Sequence, residues 1–163
     1  YLEVMGLEPT YIQHFVIHSL SVARTTIKKM ISSLEKCFVL DEENEYRIRL
    51  ILNELISNGY VHGNRMQEDK LVHIYMKVGY PDQVTFLIID EGDGFDYRSK
   101  LKCCEEKETI DLDCLLEGGR GLKLVKSMAN VLMFNRKGNK VLVKISLQPS
   151  YGNFLFAYRI ALN

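Results

Sequence analysis

The sequence has little of what marks several specialised classes of protein. Its 163 residues include no tryptophan and three prolines, and its 21 basic residues equal its 21 acidic residues in number. A chain without net charge has no broad field that would recruit nucleic acid or an anionic membrane. The longest apolar runs, such as residues 84–89, are far too short to span a bilayer. We therefore expect no direct nucleic-acid partner and no membrane partner.

Cysteine is also sparse, and its spacing fits no framework of bridges or metal ligands. The four cysteines are Cys37, Cys103, Cys104 and Cys114. No CxxC pair is present, the histidines form no finger pattern, and adjacent cysteines rarely bridge each other. Reduced thiols are the ordinary state for such usage, which favours a cytoplasmic protein.

The length and composition are those of a globular domain. Apolar residues make up 47% of the chain and charged residues 26%, which is enough for one domain with a sizeable core. No internal repeat, low-complexity segment or linker divides the sequence, so we expect a single domain over residues 1–163. Because the first residue is Tyr1 rather than methionine, an excerpt of a longer protein is an open alternative.

Hydrophobic periodicity predicts six strands and three helices. Apolar and polar residues alternate as in strands at residues 11–18 and 71–78, and a run rich in β-branched residues predicts a strand at residues 84–89. Residues 131–134, 141–147 and 154–162 are also predicted to be strands. Helical spacing begins after Ser19 or Ser21, begins again after Asp41 and stops around residues 59–63, and recurs over residues 121–129. This order predicts an α+β fold, a two-layer α/β sandwich with a mixed, mostly antiparallel sheet and helices on one face.

A carboxylate and an amide share one face of the second predicted helix. Glu54 and Asn58 lie about 40° apart on the helical wheel, among apolar neighbours such as Ile51 and Leu55. Buried polar groups need partners, because each unpaired one costs about 1–3 kcal/mol. Two interpretations are open: the pair bonds to a loop for structural reasons, or it serves a chemical site. In the second, the amide oxygen suits Mg²⁺ and the carboxylate suits a general base beside a phosphate.

An acidic, glycine-rich loop follows the apolar strand at residues 84–89. Asp90 stands at the end of that strand, where a buried carboxylate is costly unless it is paired. Gly92 and Gly94 allow positive φ angles and a close approach of the backbone to a flat ligand. A calcium-binding turn is the alternative, but Leu101 occupies the position that an EF-hand glutamate would need.

A second glycine-rich segment, Gly119-Arg120-Gly121, precedes a helix that we predict to begin near Leu122. Helix N-termini bind anions through free N–H groups and the positive end of the dipole, and glycines let a phosphate come close. The segment is neither a GxxxxGK[ST] loop nor a GxGxxG fingerprint. Arg120 and Lys123 either add charge near the phosphates or are exposed bases at a helix end.

In this order and at these separations, segments 54–58, 90–94 and 119–122 resemble the N box and the two glycine boxes of the GHKL ATPases, which share the Bergerat fold. That superfamily includes gyrase, MutL-type repair proteins, sensor histidine kinases and the bacterial anti-sigma-factor serine kinases. Residues 58–63, Asn-Gly-Tyr-Val-His-Gly, resemble the Asn-Ala-x-x-His-Gly of the anti-sigma kinases, with Gly59 in place of the alanine. The resemblance extends over residues 11–147.

The resemblance implies a site for ATP or ADP with Mg²⁺. It assigns the general base to Glu54, the Mg²⁺ ligand to Asn58 and the acceptor of the adenine amino group to Asp90. It also places a short lid over the nucleotide at residues 97–117, with Thr109 in contact with phosphate. The cofactor-binding residues that it implies are Asn58, Asp90, Gly92, Gly94, Thr109, Gly119, Arg120, Gly121 and Leu122.

Among the branches of the superfamily, the chain is most similar to the anti-sigma-factor serine/threonine kinases. No His-Glu phosphoacceptor pattern precedes the second helix, and there is no room for the transducer domain of gyrase. The resemblance implies an ATP-dependent protein kinase that binds a sigma factor, phosphorylates an anti-sigma antagonist and forms a homodimer. Arg24 is either a partner contact or an exposed residue without a role, and Glu117 departs from relatives that place an arginine there. The alternative function is a nucleotide-dependent protein-binding module without kinase turnover.

Overall fold

The computed structural model describes residues 11–79, 82–97, 99 and 119–149. In chain order its elements are β1 (Tyr11–Ile17), α1 (Leu20–Leu34), β2 (Phe38–Val39), α2 (Glu42–Ser57), a π-helical turn (Asn58–Gly63), β3 (Val72–Gly79), β4 (Gln83–Asp90), α3 (Gly119–Met128), β5 (Val131–Phe134), β6 (Lys140–Ser146) and β7 (Gln148–Pro149). No helix within these ranges is both long and apolar enough to cross a membrane.

Side-chain caps fix where the first two helices begin. The Ser19 hydroxyl accepts a hydrogen bond from the Val22 N–H at 3.3 Å, so Ser19 rather than Ser21 caps α1. The Asp41 carboxylate accepts from the Asn44 N–H at 2.8 Å and caps α2. Each cap satisfies a backbone donor that the first turn of a helix leaves free. Both starts therefore lie where the sequence predicted them.

Helix α2 does not end in an ordinary cap but widens into the π-helical turn. The Asn64 N–H donates to the Gly59 carbonyl at 2.7 Å, which is the i to i−5 spacing of a π-helix. The buried Asn64 side chain then donates to the Leu71 carbonyl at 2.9 Å and fixes the start of the following strand. Such turns occur frequently at functional sites, and this one contains the segment that resembles Asn-Ala-x-x-His-Gly.

The main sheet has five strands in the order β1-β3-β4-β6-β5, and every pairing in it is antiparallel. Strands β2 and β7 form a separate antiparallel pair. These two strands have two residues each, too few to show the alternation from which a strand can be predicted. The predicted strand at residues 154–162 lies outside the described residues.

The core lies between one face of the sheet and the helices. Alternate residues of the central strands, such as Ile74, Met76 and Phe86, are fully buried, as the period of two requires. Side chains on the opposite face are more exposed, and Ile12 and Met133 are 60% and 61% exposed. The predicted α+β sandwich, with helices on one face of a mostly antiparallel sheet, is confirmed.

Helix α3 differs from its prediction at its start. It begins at Gly119 rather than near Leu122, so the glycine segment forms the first turn of the helix instead of a loop before it. Glycine destabilises a helix mainly in its interior, so glycines in the first turn cost less stability than they would further along. The N–H groups that this helix leaves without an internal partner are therefore those of the glycine segment itself.

Candidate functional site

The three motifs predicted from sequence meet along helix α2. The end of α2 and its π-helical turn pass the first turn of α3 and then the end of β4. Glu54 lies against Gly121, and Gly59 and Gly63 lie against Asp90. One helix therefore contacts both glycine segments, as a single elongated site requires.

Asp90 is buried because it continues the inward-facing alternation of β4. Val84, Phe86, Ile88 and Asp90 all point to the core side, and Asp90 is 5% exposed. Its Oδ1 atom accepts a hydrogen bond from the Gly92 N–H at 3.0 Å. Burial raises the pKa of the Asp90 carboxyl above its ordinary value, and the backbone hydrogen bonds and nearby lysines offset part of that rise. A carboxyl held in this way is a directed acceptor at the edge of the core.

Glycines make room for this carboxyl and for the loop after it. A β-carbon at Gly63 would lie 2.4 Å from Oδ1 of Asp90, and one at Gly92 would lie 1.8 Å from the carbonyl oxygen of Gly63. At Gly59, in contrast, a β-carbon would meet the Asp90 and Val72 side chains at an ordinary 3.5 Å. The geometry therefore requires glycine at positions 63 and 92 and has room for alanine at position 59.

The β5–β6 hairpin supports the acidic loop from the other side, which sequence reasoning did not foresee. The Asp90 N–H donates to the Asn139 carbonyl at 3.0 Å, and the Asn139 side-chain amide donates to the Asp90 carbonyl at 3.3 Å. The Lys137 ammonium donates to the Gly92 carbonyl at 3.1 Å. The only signal in the sequence was Gly138-Asn139, which predicted the turn but not its contacts.

The two loops fit together through two glycines with positive φ. Gly94 has φ of 82° and Gly138 has φ of 81°, a region that residues with side chains rarely adopt. A β-carbon at Gly94 would lie 1.9 Å from the Lys137 carbonyl oxygen, and one at Gly138 would lie 2.2 Å from the Phe95 carbonyl oxygen. The glycine of each loop therefore leaves the space that a backbone carbonyl of the other loop occupies.

Asn58 lies one helical turn beyond Glu54 and faces the space beside Asp90. It is 9% exposed, and within the described residues its Nδ2 atom is buried without a hydrogen-bond partner. Asn58, Asp90, Phe134 and Asn139 help to line a cavity of about 10 Å³, which is room for about one water. An unpaired buried donor costs about 1–3 kcal/mol, so the Nδ2 atom of Asn58 fits an acceptor on a bound water or ligand, whereas a cation would need its Oδ1 atom.

Glu54 lies at the first turn of α3. A β-carbon built on Gly121 would be 1.8 Å from Oε2 of Glu54, so the carboxylate occupies the space directly above the glycine. The free N–H groups and the positive end of the helix dipole make this turn a site for anions. The arrangement places a carboxylate, able to accept a proton, beside a surface that can bind phosphate.

The remaining predicted residues fall into two groups. Gly119 and Arg120 lie in the first turn of α3, and Leu122 is fully buried and anchors that helix in the core. Thr109 and Glu117 lie outside the described residues, as do residues 98 and 100–117 of the predicted lid. No group of three or more His, Cys, Asp or Glu side chains within the described ranges could hold a metal ion.

Comparison with known proteins agrees with this geometry. The histidine kinase-like ATPase domain family matches residues 19–145, which contain all three motifs. The anti-sigma F factor of Clostridium beijerinckii is 29% identical over 125 residues, 75% of this chain and 82% of the relative. The anti-sigma F factor of Priestia megaterium is 30% identical over 82 residues, 50% of this chain and 53% of the relative. The chain therefore belongs to the family of histidine kinase-like ATPase domains and is similar to anti-sigma F factors.

Proposed function

We propose that this chain is an ATP-dependent protein serine/threonine kinase of the anti-sigma type, acting as a single domain over residues 1–163. It binds ATP or ADP with Mg²⁺, binds a sigma factor and transfers phosphate to a hydroxyl of an anti-sigma antagonist. The observation that supports this best is the position of the Glu54 carboxylate directly above Gly121 in the first turn of α3. That contact brings a proton acceptor and a phosphate-binding surface together.

The adenine end of the proposed site is Asp90. Its carboxyl is buried, is held by the Gly92 N–H, and lies against Gly63, where a β-carbon would be 2.4 Å from Oδ1. A fixed carboxylate accepts a hydrogen bond from an exocyclic amino group and gives no such bond to the carbonyl that guanine carries there. This chemistry favours adenine over guanine nucleotides.

The phosphate end of the proposed site is the first turn of α3. Gly119, Arg120 and Gly121 form that turn, and their N–H groups are free to receive phosphate oxygens. Asn58 would hold Mg²⁺ through its amide oxygen, because Mg²⁺ is usually bound by few protein oxygens together with phosphates and waters. When bound, Mg²⁺ neutralises charge on the phosphates.

The catalytic step depends on Glu54. Phosphoryl transfer requires little from the protein beyond positioning, charge neutralisation and a group that accepts the proton of the attacking hydroxyl. Glu54 is half-buried at the end of α2, one turn before Asn58 and in contact with α3. From there it accepts the hydroxyl proton as the hydroxyl oxygen bonds to the terminal phosphorus of ATP. The bond from that phosphorus to the bridging oxygen breaks at the same time, and ADP leaves.

The partner proteins of the proposal come from the names of the relatives, and the oligomeric state comes from the family resemblance. Two similar proteins are named anti-sigma F factors, so a sigma factor is the proposed binding partner and an anti-sigma antagonist the proposed phosphate acceptor. Arg24 is exposed on α1 and is a proposed partner contact. A homodimer and a cytoplasmic location complete the proposal.

Calorimetric titration of ATP and ADP, with and without Mg²⁺, tests the site. Asp90→Ala should abolish binding, whereas Asp93→Ala, which removes an exposed acid from the same loop, should leave it unchanged. Binding by wild type that responds to Mg²⁺ supports the proposal, and transfer to an antagonist is then measured with labelled ATP. No binding by wild type would refute the kinase, and tight binding without transfer would favour a nucleotide-dependent binding module.

A further inference from the structure

We propose that Arg47 is a positioning residue for the nucleotide site: it holds the C-terminal end of α3 and thereby fixes the N-terminal turn of α3 against Glu54. This inference rests on the proposed function, because it assigns a role in the proposed nucleotide site to a residue at the opposite end of α3. Arg47 lies on α2, two turns before Glu54. It belongs to none of the three motifs.

The contacts of Arg47 reach across 81 positions of the sequence. Its Nε atom donates to the Met128 carbonyl at 2.5 Å, and its Nη2 atom donates to Oδ1 of Asn130 at 3.0 Å. Met128 is the last residue of α3, so its carbonyl is one of those that a helix end leaves without an internal partner. A cation is also favourable at the negative end of the helix dipole.

Asn130 ties this contact to the sheet. Its Oδ1 atom, which accepts from Arg47, also accepts from the Ser146 N–H at 2.8 Å. Its own N–H donates to the Lys144 carbonyl at 3.0 Å. One hydrogen-bond network therefore joins helix α2, the end of α3 and strand β6. Arg47 is the residue that α2 contributes to this network.

The two ends of α3 meet opposite charges from one face of α2. Residues that are seven apart lie nearly above one another on a helix, two turns along. Arg47 and Glu54 have this spacing, and so do Gly121 and Met128. Glu54 lies at the N-terminal turn of α3 and Arg47 at its C-terminal end. The two helices therefore run antiparallel, with an acid at the positive end of the α3 dipole and a base at its negative end.

Arg47 controls the phosphate end because α3 is short and pivots on its centre. Leu122 and Val125 are fully buried in the core, so the middle of the helix is fixed by packing. When its C-terminal end is released, a rigid helix tilts about that centre, and its first turn moves relative to Glu54. The adenine end, built from β4 and the β5–β6 hairpin, has no part in this movement.

The test compares ATP with adenosine in four proteins: wild type, Arg47→Met, Arg47→Lys and Arg49→Met. Arg49 is the matched control, because it is on the same helix but pairs with Glu45 at 2.8 Å through Nε. We expect Arg47→Met to lose about tenfold in ATP affinity, the size of one lost hydrogen bond to a charged group, with adenosine affinity unchanged. Arg47→Lys should recover part of the loss, and Arg49→Met should match wild type.

An equal loss of ATP and adenosine affinity, or no loss, would overturn the inference while leaving the proposed function intact. Amide hydrogen exchange tests the positioning without nucleotide. Arg47→Met should speed exchange at the amides of residues 123–125, which donate to the carbonyls of the first turn of α3, and Arg49→Met should not. Unchanged protection there would also refute the role of Arg47. If wild type bound no nucleotide, the proposed function would fail, and exchange would still decide whether Arg47 positions α3.

Discussion

The carboxylate of Glu54 lies so close to Gly121 that a β-carbon on Gly121 would be 1.8 Å from Oε2 and 2.6 Å from Cδ. Glycine at position 121 therefore has a role besides the phosphate contact that we propose for it. It admits the side chain of the residue that we propose as the base. The contact joins two motifs that are distant in sequence. A substitution at Gly121 should therefore change the position of Glu54, which the next prediction uses.

Gly121→Ala should abolish phosphoryl transfer without unfolding the protein. The atoms that an alanine methyl group would meet are the end of a flexible glutamate side chain, which can swing away at little cost in stability. Displacement of Glu54 removes the proposed base from its place, and misplacement by about 1 Å can cost about a hundredfold in rate. Thermal unfolding and transfer assays on the same samples check both outcomes, and a fall in melting temperature with unchanged transfer would contradict the prediction.

Glu54→Gln should keep nucleotide binding and lose transfer. The amide has the same shape as the carboxylate and fits against Gly121, but it does not accept a proton at neutral pH. Calorimetry of ATP binding and a transfer assay measure the two effects separately. Transfer at the wild-type rate would show that Glu54 is not the base.

Gly92→Ala and Gly59→Ala should move stability in opposite directions. A β-carbon at Gly92 would meet the Gly63 carbonyl oxygen at 1.8 Å, and a backbone atom cannot move aside as a side chain can. We expect Gly92→Ala to cost about 3 kcal/mol or more. Gly59→Ala meets only contacts at 3.5 Å and should gain about 0.5 kcal/mol from helix propensity.

Chemical denaturation of both glycine variants against wild type gives these differences directly. Gly59→Ala also restores the alanine of the motif that this segment resembles, so a loss of stability there would mean that the π-helical turn needs glycine. A neutral Gly92→Ala would contradict the close approach of the two loops.

Asp90→Asn should be more stable than wild type at neutral pH, although it should lose adenine binding. Burial raises the pKa of Asp90 in the folded protein, so the folded state favours the protonated form. The contribution of this group is fully present below its ordinary pKa of 3.8 and is lost as the pH rises through the folded value. The advantage of asparagine should therefore shrink as the pH falls toward 3.8. Melting curves from pH 3 to pH 7 test this, and a constant difference would refute it.

Glu91→Gln should show the opposite pH dependence. The Leu71 N–H donates to Oε2 at 2.8 Å and His73 lies 3.1 Å from Oε1, and these contacts lower the pKa of the Glu91 carboxyl. Its stabilising contribution is present above the ordinary pKa of 4.5 and is lost as the pH falls through the lower folded value. The variant should melt below wild type at pH 7, and the two should converge in acid. A difference that grows in acid would contradict the assignment.

The helices and strands that follow from patterns of consecutive residues could be predicted from sequence. The contacts between residues that are distant in sequence could not. The β-branched, apolar run at residues 84–89 predicted β4 and placed Asp90 at the end of a buried strand, because it is a property of consecutive residues. Asn139 bonds to Asp90 from the β5–β6 turn, 49 residues further on, and Arg47 bonds to Met128 across 81 residues. Such contacts depend on how elements pack, and no local pattern marks them.

The start of α3 illustrates a third kind of limit. Glycine is a poor helix former, so the sequence predicted a loop where Gly119 and Gly121 belong to the helix. The proximity of Glu54 explains why glycine is needed at position 121 in spite of its low propensity. The contact with Glu54 therefore outweighs the low helix propensity of glycine at position 121, and only the structure shows that contact.

The mutual fit of Gly94 with Lys137 and of Gly138 with Phe95 limits how the length of this protein can change. Each loop contains a carbonyl that occupies the space where a β-carbon of the other loop would lie. One inserted or deleted residue in either loop would therefore move both carbonyls away from the glycines that make room for them. Natural variants should therefore keep the 92–95 and 135–139 loops at constant length.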